Sequence, residues 1–353
     1  MARQGSHRKP KAVRLLTATA AVVVAGGIVI GMGAASARTL RHPPDQEVGG
    51  VPQNGPFLND FVDITRVPAN VRLPRTRRDA STGTFVSDCG VNREGHNNPD
   101  NFIVTPGVQD GAQHVHDYVG NTTTDANSTD LTLPEGDTTC QNTDDRSAYF
   151  WPVLRVLGRG DGPDKNDDGG GADGNVGKIL RPQSAKLEFR GNPTSPVVPM
   201  PPFLRVLYGN AKAISQQGKN AQASWTCTGF EDRLVAKYPL CPRGSSVERI
   251  HDFPSCWDGA NTDSADHRSH IVYPRADGSC PVLFRPVPQL RVTLVYDVPQ
   301  RTPFAVDGFP TEQHSPLTDH DDFVNVMSNG LMRQVAGCIN SGRNCLNQAD
   351  NDN

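Results

Sequence analysis

The sequence predicts a mainly β protein, a two-sheet sandwich or jelly-roll-like domain with long loops and a short C-terminal helix. Thirty-four glycines and 29 prolines punctuate the chain, so its apolar runs are short and end in turn residues. Residues 289–298 alternate, with Leu290, Val292, Leu294, Tyr296 and Val298 on one side and Gln289, Arg291, Thr293 and Asp297 on the other. That period of two marks a strand with one wet face. Near the C-terminus the period changes: Phe323, Met327, Leu331 and Val335 recur every fourth residue. Asp319, Asp321 and Asp322 stand at the expected start of this helix and Gly337 just past its end.

The remaining elements follow in chain order. Arg3, Arg8, Lys9, Lys11 and Arg14 precede an uncharged run, 15–37, that ends in Ala35-Ser36-Ala37. This reads as an export signal over residues 1–37; an uncleaved membrane anchor at 15–37 is the alternative. Residues 38–56 are polar, rich in Pro and Gly, and read as a flexible leader. Residues 57–345 read as one domain and 346–353 as a polar tail. Strand-length runs occur at 84–87, 102–105, 149–157, 186–190, 203–208 and 270–273. Pro152 supplies no ladder donor, which predicts an edge or a bulge there.

An Asp- and Gly-rich insert spans 158–177. Within it Asp164, Asn166 and Asp168 precede Gly169 at the spacing of a calcium loop, but the twelfth position is Asn175 rather than Glu. A weak Ca2+ site at 164–169 is one reading, a solvated hairpin loop the other. Asn121 and Asn127 each begin a glycosylation sequon.

Five of the 35 basic residues and none of the 38 acidic ones lie in the first 37 positions, so signal removal leaves a net charge of −8. A negative surface argues against nucleic acid and, once the signal is cleaved, against membrane surfaces as partners. Cys89, Cys140, Cys227, Cys241, Cys256, Cys280, Cys338 and Cys345 make an even count after an export signal, which reads as four disulfides. Pairing neighbours in order is the simplest arrangement. With no CxxC spacing, a thiolate zinc site is not expected, and a cysteine committed to a disulfide cannot act as a nucleophile.

Chemistry concentrates in the polar blocks. In a strand, His114, His116 and Tyr118 would share one face while Val115, Asp117 and Val119 share the other. Two imidazoles so placed can hold a divalent transition metal or serve as acid and base. The stretch from Phe253 to Pro274 adds Trp257, Asp258, His267 and His270, bracketed by Cys256 and Cys280. A third block, His320-Asp321-Asp322, reads equally as helix capping. There is no GxSxG, HExxH, phosphate-binding or dinucleotide-binding motif, which demotes the corresponding enzyme classes.

Taken in order, these blocks resemble DUF1996, a family of secreted proteins without an assigned function. Pro106-Gly107, His114-Val-His116, Val119-Gly120-Asn121 and Tyr149-Phe-Trp151-Pro152 carry the first part. Phe253-Pro-Ser-Cys-Trp-Asp-Gly, Asp266-His267-Arg-Ser-His270, Tyr273-Pro274, Cys280-Pro281, Pro310-Thr311 and His320-Asp-Asp322-Phe323-Val-Asn325 carry the rest, so that the resemblance covers about residues 84–340. It departs at Val326-Met327, where relatives have Gly-Trp, and at Asp321, where they have Gly. The resemblance implies a polysaccharide or cell-wall setting, because such domains are sometimes joined to sugar-binding modules.

Two functions follow as expectations. One is a secreted hydrolase or lyase acting on polysaccharide through His114, His116, Asp258, His267, His270 and His320, with Tyr118, Trp151 and Trp257 against sugar rings. The other is a non-catalytic cell-wall protein that binds glycan or metal with the same groups.

Overall fold

In a computed structural model the described residues are 55–158 and 160–346. The residues read as an export signal, and most of those read as leader and tail, lie outside them. Two antiparallel-rich sheets face one another. The larger is ordered Trp225–Cys227, Val247–Asp252, Gln289–Tyr296, Ser184–Arg190, Thr84–Ser87, Asn344–Leu346. The smaller is ordered Asn97–Asn98, His116–Gly120, Ala148–Pro152, His320–Val324, Arg205–Gly209. The mainly β prediction holds, including the single short C-terminal helix.

Gln289–Tyr296 alternates between half-buried and buried along its whole length, as the period of two requires. Its inward side chains join Phe85, Leu187 and Phe189 from the same sheet and Tyr149, Trp151, Val206 and Phe323 from the opposite one in the main core. A second, smaller core covers the outer face of the five-stranded sheet. There Tyr118, Phe150, Leu207 and Val324 lie with Phe102, Ile103 and Leu133 from connecting segments. Both faces of this sheet are therefore covered, and every residue of His116–Gly120, Ala148–Pro152 and His320–Val324 is buried.

Several expectations are corrected. The helix is Asn329–Asn340, capped by the Ser328 side chain, which accepts from the Leu331 amide. Residues 320–324 form a strand between Ala148–Pro152 and Arg205–Gly209, because their backbone groups are taken by two ladders. Asp319, Asp321 and Asp322 are consequently not helix caps, and Gly337 lies inside the helix. Residues 102–105 form turns that roof the second core. Pro152 closes a central strand, not an edge one; the chain breaks at Val153 and continues as Leu154–Val156 in a separate small sheet.

The four disulfides join Cys89 to Cys140, Cys227 to Cys241, Cys256 to Cys280 and Cys338 to Cys345, the neighbour-in-order pairing. Such a set suits an oxidising compartment. Among the described residues no helix is long and apolar enough to cross a membrane.

Candidate metal centre

Sheet register places the site. His116 lies opposite Pro152, Tyr118 opposite Phe150, Phe150 opposite Asp322, and Asp322 opposite Leu207. Since alternate residues share a face, His116, Tyr118, His320 and Asp322 all project to the outer side of the five-stranded sheet, away from the main core. His114 precedes the strand, in a bend that follows the left-handed Gln113. The bend aims its ring at the same point. The imidazole Nε2 atoms of His114 and His116 lie 3.1 Å apart, those of His114 and His320 3.1 Å, and those of His116 and His320 3.4 Å.

These rings are almost fully buried, at 1, 0 and 5% exposure for His114, His116 and His320. His320 Nδ1 donates to the Thr318 carbonyl at 2.9 Å, which leaves its Nε2 as a bare lone pair. The Nδ1 atoms of His114 and His116 are buried and make no hydrogen bond among the described residues. Burial, and then the neighbouring imidazoles, push His114 and His116 well below the usual histidine range. Burial holds His320 at about 4. The three rings are thus neutral at pH 7, with their Nε2 atoms crowded together.

Behind the cluster runs a buried polar network. Arg249 Nη2 donates to Asp319 at 2.5 Å, and His251 bridges Asp319 at 3.1 Å and Asp321 at 2.7 Å. Arg249 also donates to the Pro152 carbonyl and to Tyr296 Oη. Burial opposes the Asp319 charge, but Arg249 and His251 hold its carboxyl well below the usual range. Burial raises Asp321, which contacts only His251 directly, to about 6. The charges of Asp319 and Asp321 hold His251 above the usual histidine range despite burial. Residues 319–322 are thus anchored on both sides of the strand.

The insert performs a similar service for His114. Asn175 donates to the Gln113 carbonyl and accepts from the Gly308 amide, and Phe309 packs edge-on to the His114 ring at 5.2 Å. In the loop read as a calcium candidate (Asp164, Asn166 and Asp168), the first of the three is engaged elsewhere. Both Asp164 oxygens accept from the Arg155 guanidinium, at 2.8 and 2.5 Å, and Arg155 also holds Asp307. A carboxylate so bound to a guanidinium is already satisfied and is not turned toward a cation. Asn121 uses its amide to bind the carbonyls of Leu133 and Arg146 and is buried. The exposed sequon is Asn127.

A cleft of about 450 Å³ reaches the cluster, lined by His114, His320 and Asp322 on one side and His267 and Arg268 on the other. Asp322 Oδ2 accepts from Asn101 at 2.7 Å. Burial, then the Asp321 charge, lift Asp322 to about 7.

The other sequence candidates are distributed differently. His267 shares the cleft, with Nδ1 on Asp263 at 2.9 Å. His270 is turned away, its two nitrogens taken by Ser264 Oγ and the Arg205 carbonyl. Asp258 closes a turn by accepting from Ala260, Asn261 and the Asn261 side chain. Tyr118 and Trp151 are buried, so neither offers a ring face to a ligand. Trp257 is half-buried, with Nε1 donating to the Asn261 carbonyl. Asp117 faces inward, bound by Asn92 and Asn97. Sequence reasoning gave His251 and Arg249 no role; the only available signal was that both share the inward parity of Val247.

Comparison with known families finds a match over residues 101–326 to a domain of unknown function, DUF1996. No curated protein and no solved structure matches.

Proposed function

This chain belongs to the DUF1996 family, whose description supplies no chemistry, and from the site itself we propose a metal-dependent hydrolase or lyase, exported and acting on polysaccharide. One observation carries the metal: three neutral imidazoles converge through Nε2 at separations of 3.1, 3.1 and 3.4 Å. Nitrogens about 2.0–2.1 Å from one ion in tetrahedral array stand about 3.3 Å apart. His320 presents an Nε2 lone pair to the other two rings, and any second lone pair facing it repels in a medium of low dielectric. A divalent transition ion turns that repulsion into ligation, and a set of three imidazole donors suits zinc, copper or iron.

Three protein ligands leave a coordination position open, which favours catalysis over a closed structural site. Two of the residues that would hold the ion, His114 and His320, line the cleft, so an ion held there would be within reach of a substrate in it. Bound there, a divalent ion supplies Lewis acidity and a water of lowered pKa. Asp322, oriented by Asn101, is the acid/base group beside it, and its Oδ1 remains free of protein hydrogen bonds. Gln216 and Asn220 on the cleft walls offer amide groups suited to a hydroxyl-rich ligand. The cation is a transition metal at His114, His116 and His320, and the glycan contacts come from the cleft rather than from Tyr118 or Trp151.

Zinc titration by calorimetry tests the proposal. Wild type should bind one equivalent, His320→Ala should lose high affinity, and His270→Ala should retain it. Equal zinc binding by wild type and His320→Ala would refute the centre. A metal-loaded protein that binds saccharide without ever cleaving it would support the non-catalytic alternative.

A further inference from the structure

The cleft has an unusual charge balance for an acidic chain. Arg268, Lys212 and Lys219 all line it, and among the described residues none of the three has a carboxylate within ion-pair distance. Arg268 is fixed by one hydrogen bond, Nη2 to the Gly209 carbonyl at 2.6 Å. Among the described residues no other hydrogen bond from its guanidinium is made, so its remaining donors are open to a ligand in the cleft. Lys212 projects over the Phe309 ring at 4.4 Å, and that ring packs on His114. Its ammonium therefore stands at the rim beside the histidine cluster.

Asp322 and Asp266 in the cleft wall act on the Arg268 charge through space, but neither forms an ion pair with it, because each is hydrogen-bonded elsewhere. Asp266 accepts from Ser264 Oγ and from the Arg268 and Ser269 amides, and Asp322 is held by Asn101 on the histidine side. A guanidinium with idle donors next to amide-lined walls is the chemistry that grips a carboxylate or sulfate on a polyol. Overall negative charge does not oppose this, because field focusing in a cleft is set by the local lining groups.

We infer that the cleft takes an anionic saccharide, its carboxylate or sulfate held by Arg268 with Lys212 at the rim. This rests on the reading of the cleft as a saccharide site beside the metal centre. It would also place the protein after whatever reaction generates acidic oligosaccharides or polysaccharides, since those are what it consumes.

The test is calorimetric binding of a short oligogalacturonate, its fully methyl-esterified form and a sulfated oligosaccharide of similar length, with zinc content measured on the same samples. The free acid should bind at least about tenfold tighter than the ester, the effect of one charge-assisted contact. Arg268→Gln and the exposed-site variant Lys212→Gln should each narrow that preference while zinc content stays at the wild-type level. Tighter binding of the sulfated ligand than of the uronate would assign the same contacts to sulfate. Ester and acid bound equally, or neither anionic ligand bound, would overturn the inference and leave the metal centre standing. A preference for the acid in a protein that binds no zinc would uphold the inference and remove the metal reading alone.

Discussion

His320 is the residue on which the site turns. Its Nδ1 proton goes to Thr318, so its Nε2 faces His114 and His116 without a proton of its own. Asp322, two residues on, reaches the same face, and the Asp322→Asn variant should keep zinc while losing about 10²–10⁴-fold of any hydrolytic rate. Loss of zinc together with rate in that variant would make Asp322 a ligand instead. A different residue, Glu248, supplies a stability test remote from the site. Burial and the Glu231 charge raise its carboxyl to about 7 from 4.5. The unfolded chain therefore ionises first, and Glu248 costs stability increasingly as pH rises from 4.5 to about 7. Glu248→Gln should raise the melting temperature at pH 8 and leave it unchanged at pH 4. A gain of equal size at both pH values would contradict this sign.

Two elements hold the clustered histidines and their neighbours in place, and each has its own failure mode. Strand Val247–Asp252 inserts Arg249 and His251 between the sheets, where Asp319 and Asp321 meet them. Arg249→Met would leave the Asp319 charge buried without its guanidinium, a loss of about 3–5 kcal/mol. The double variant Arg249→Met with Asp319→Leu should recover part of that loss in guanidinium unfolding; a double variant as damaged as the single would contradict the argument. The Asp/Gly-rich insert acts through Asn175 on Gln113 and Gly308. As an outer-shell contact, Asn175→Ala should weaken zinc binding about 10–100-fold, while millimolar calcium leaves the melting temperature where it was. Unchanged zinc affinity would reduce the insert to a passive loop.

These elements also mark where the sequence was legible. Gln289–Tyr296 could be read outright, since every inward position is apolar. Val247–Asp252 could not: its inward residues after Val247 are Arg249 and His251, so an ion cluster replaces the apolar beat that a strand shows. His320–Val324 was obscured in the same way. His320 and two aspartates ahead of an apolar run look like a helix start, and only pairing with strands more than a hundred residues away identifies a ladder. His114 and His116 were visible as a pair, yet convergence with His320 depends on sheet register, which no local pattern encodes. His270 looked like a partner and is consumed by its own loop.

At the scale of the whole molecule, two sheets enclose the main core and the site sits on the outer face of the smaller one, beneath loops that disulfides secure. Cys256–Cys280 closes the loop that carries His267 and Arg268, the far wall of the cleft. Replacing both cysteines by serine should cost about 2–4 kcal/mol and weaken oligogalacturonate binding, while zinc stays bound to the sheet-borne histidines. Zinc lost along with the loop would mean that the metal centre is not independent of it. The proposed holding of one ion by three imidazoles from two distant segments is what all of this chemistry depends on. Elemental analysis of the purified protein, wild type against His114→Ala with His116→Ala, tests it most directly. We predict close to one equivalent of a transition metal in the wild type and none in the double variant; a wild type that takes up no metal even after incubation with zinc, or a double variant that keeps it, would contradict the account.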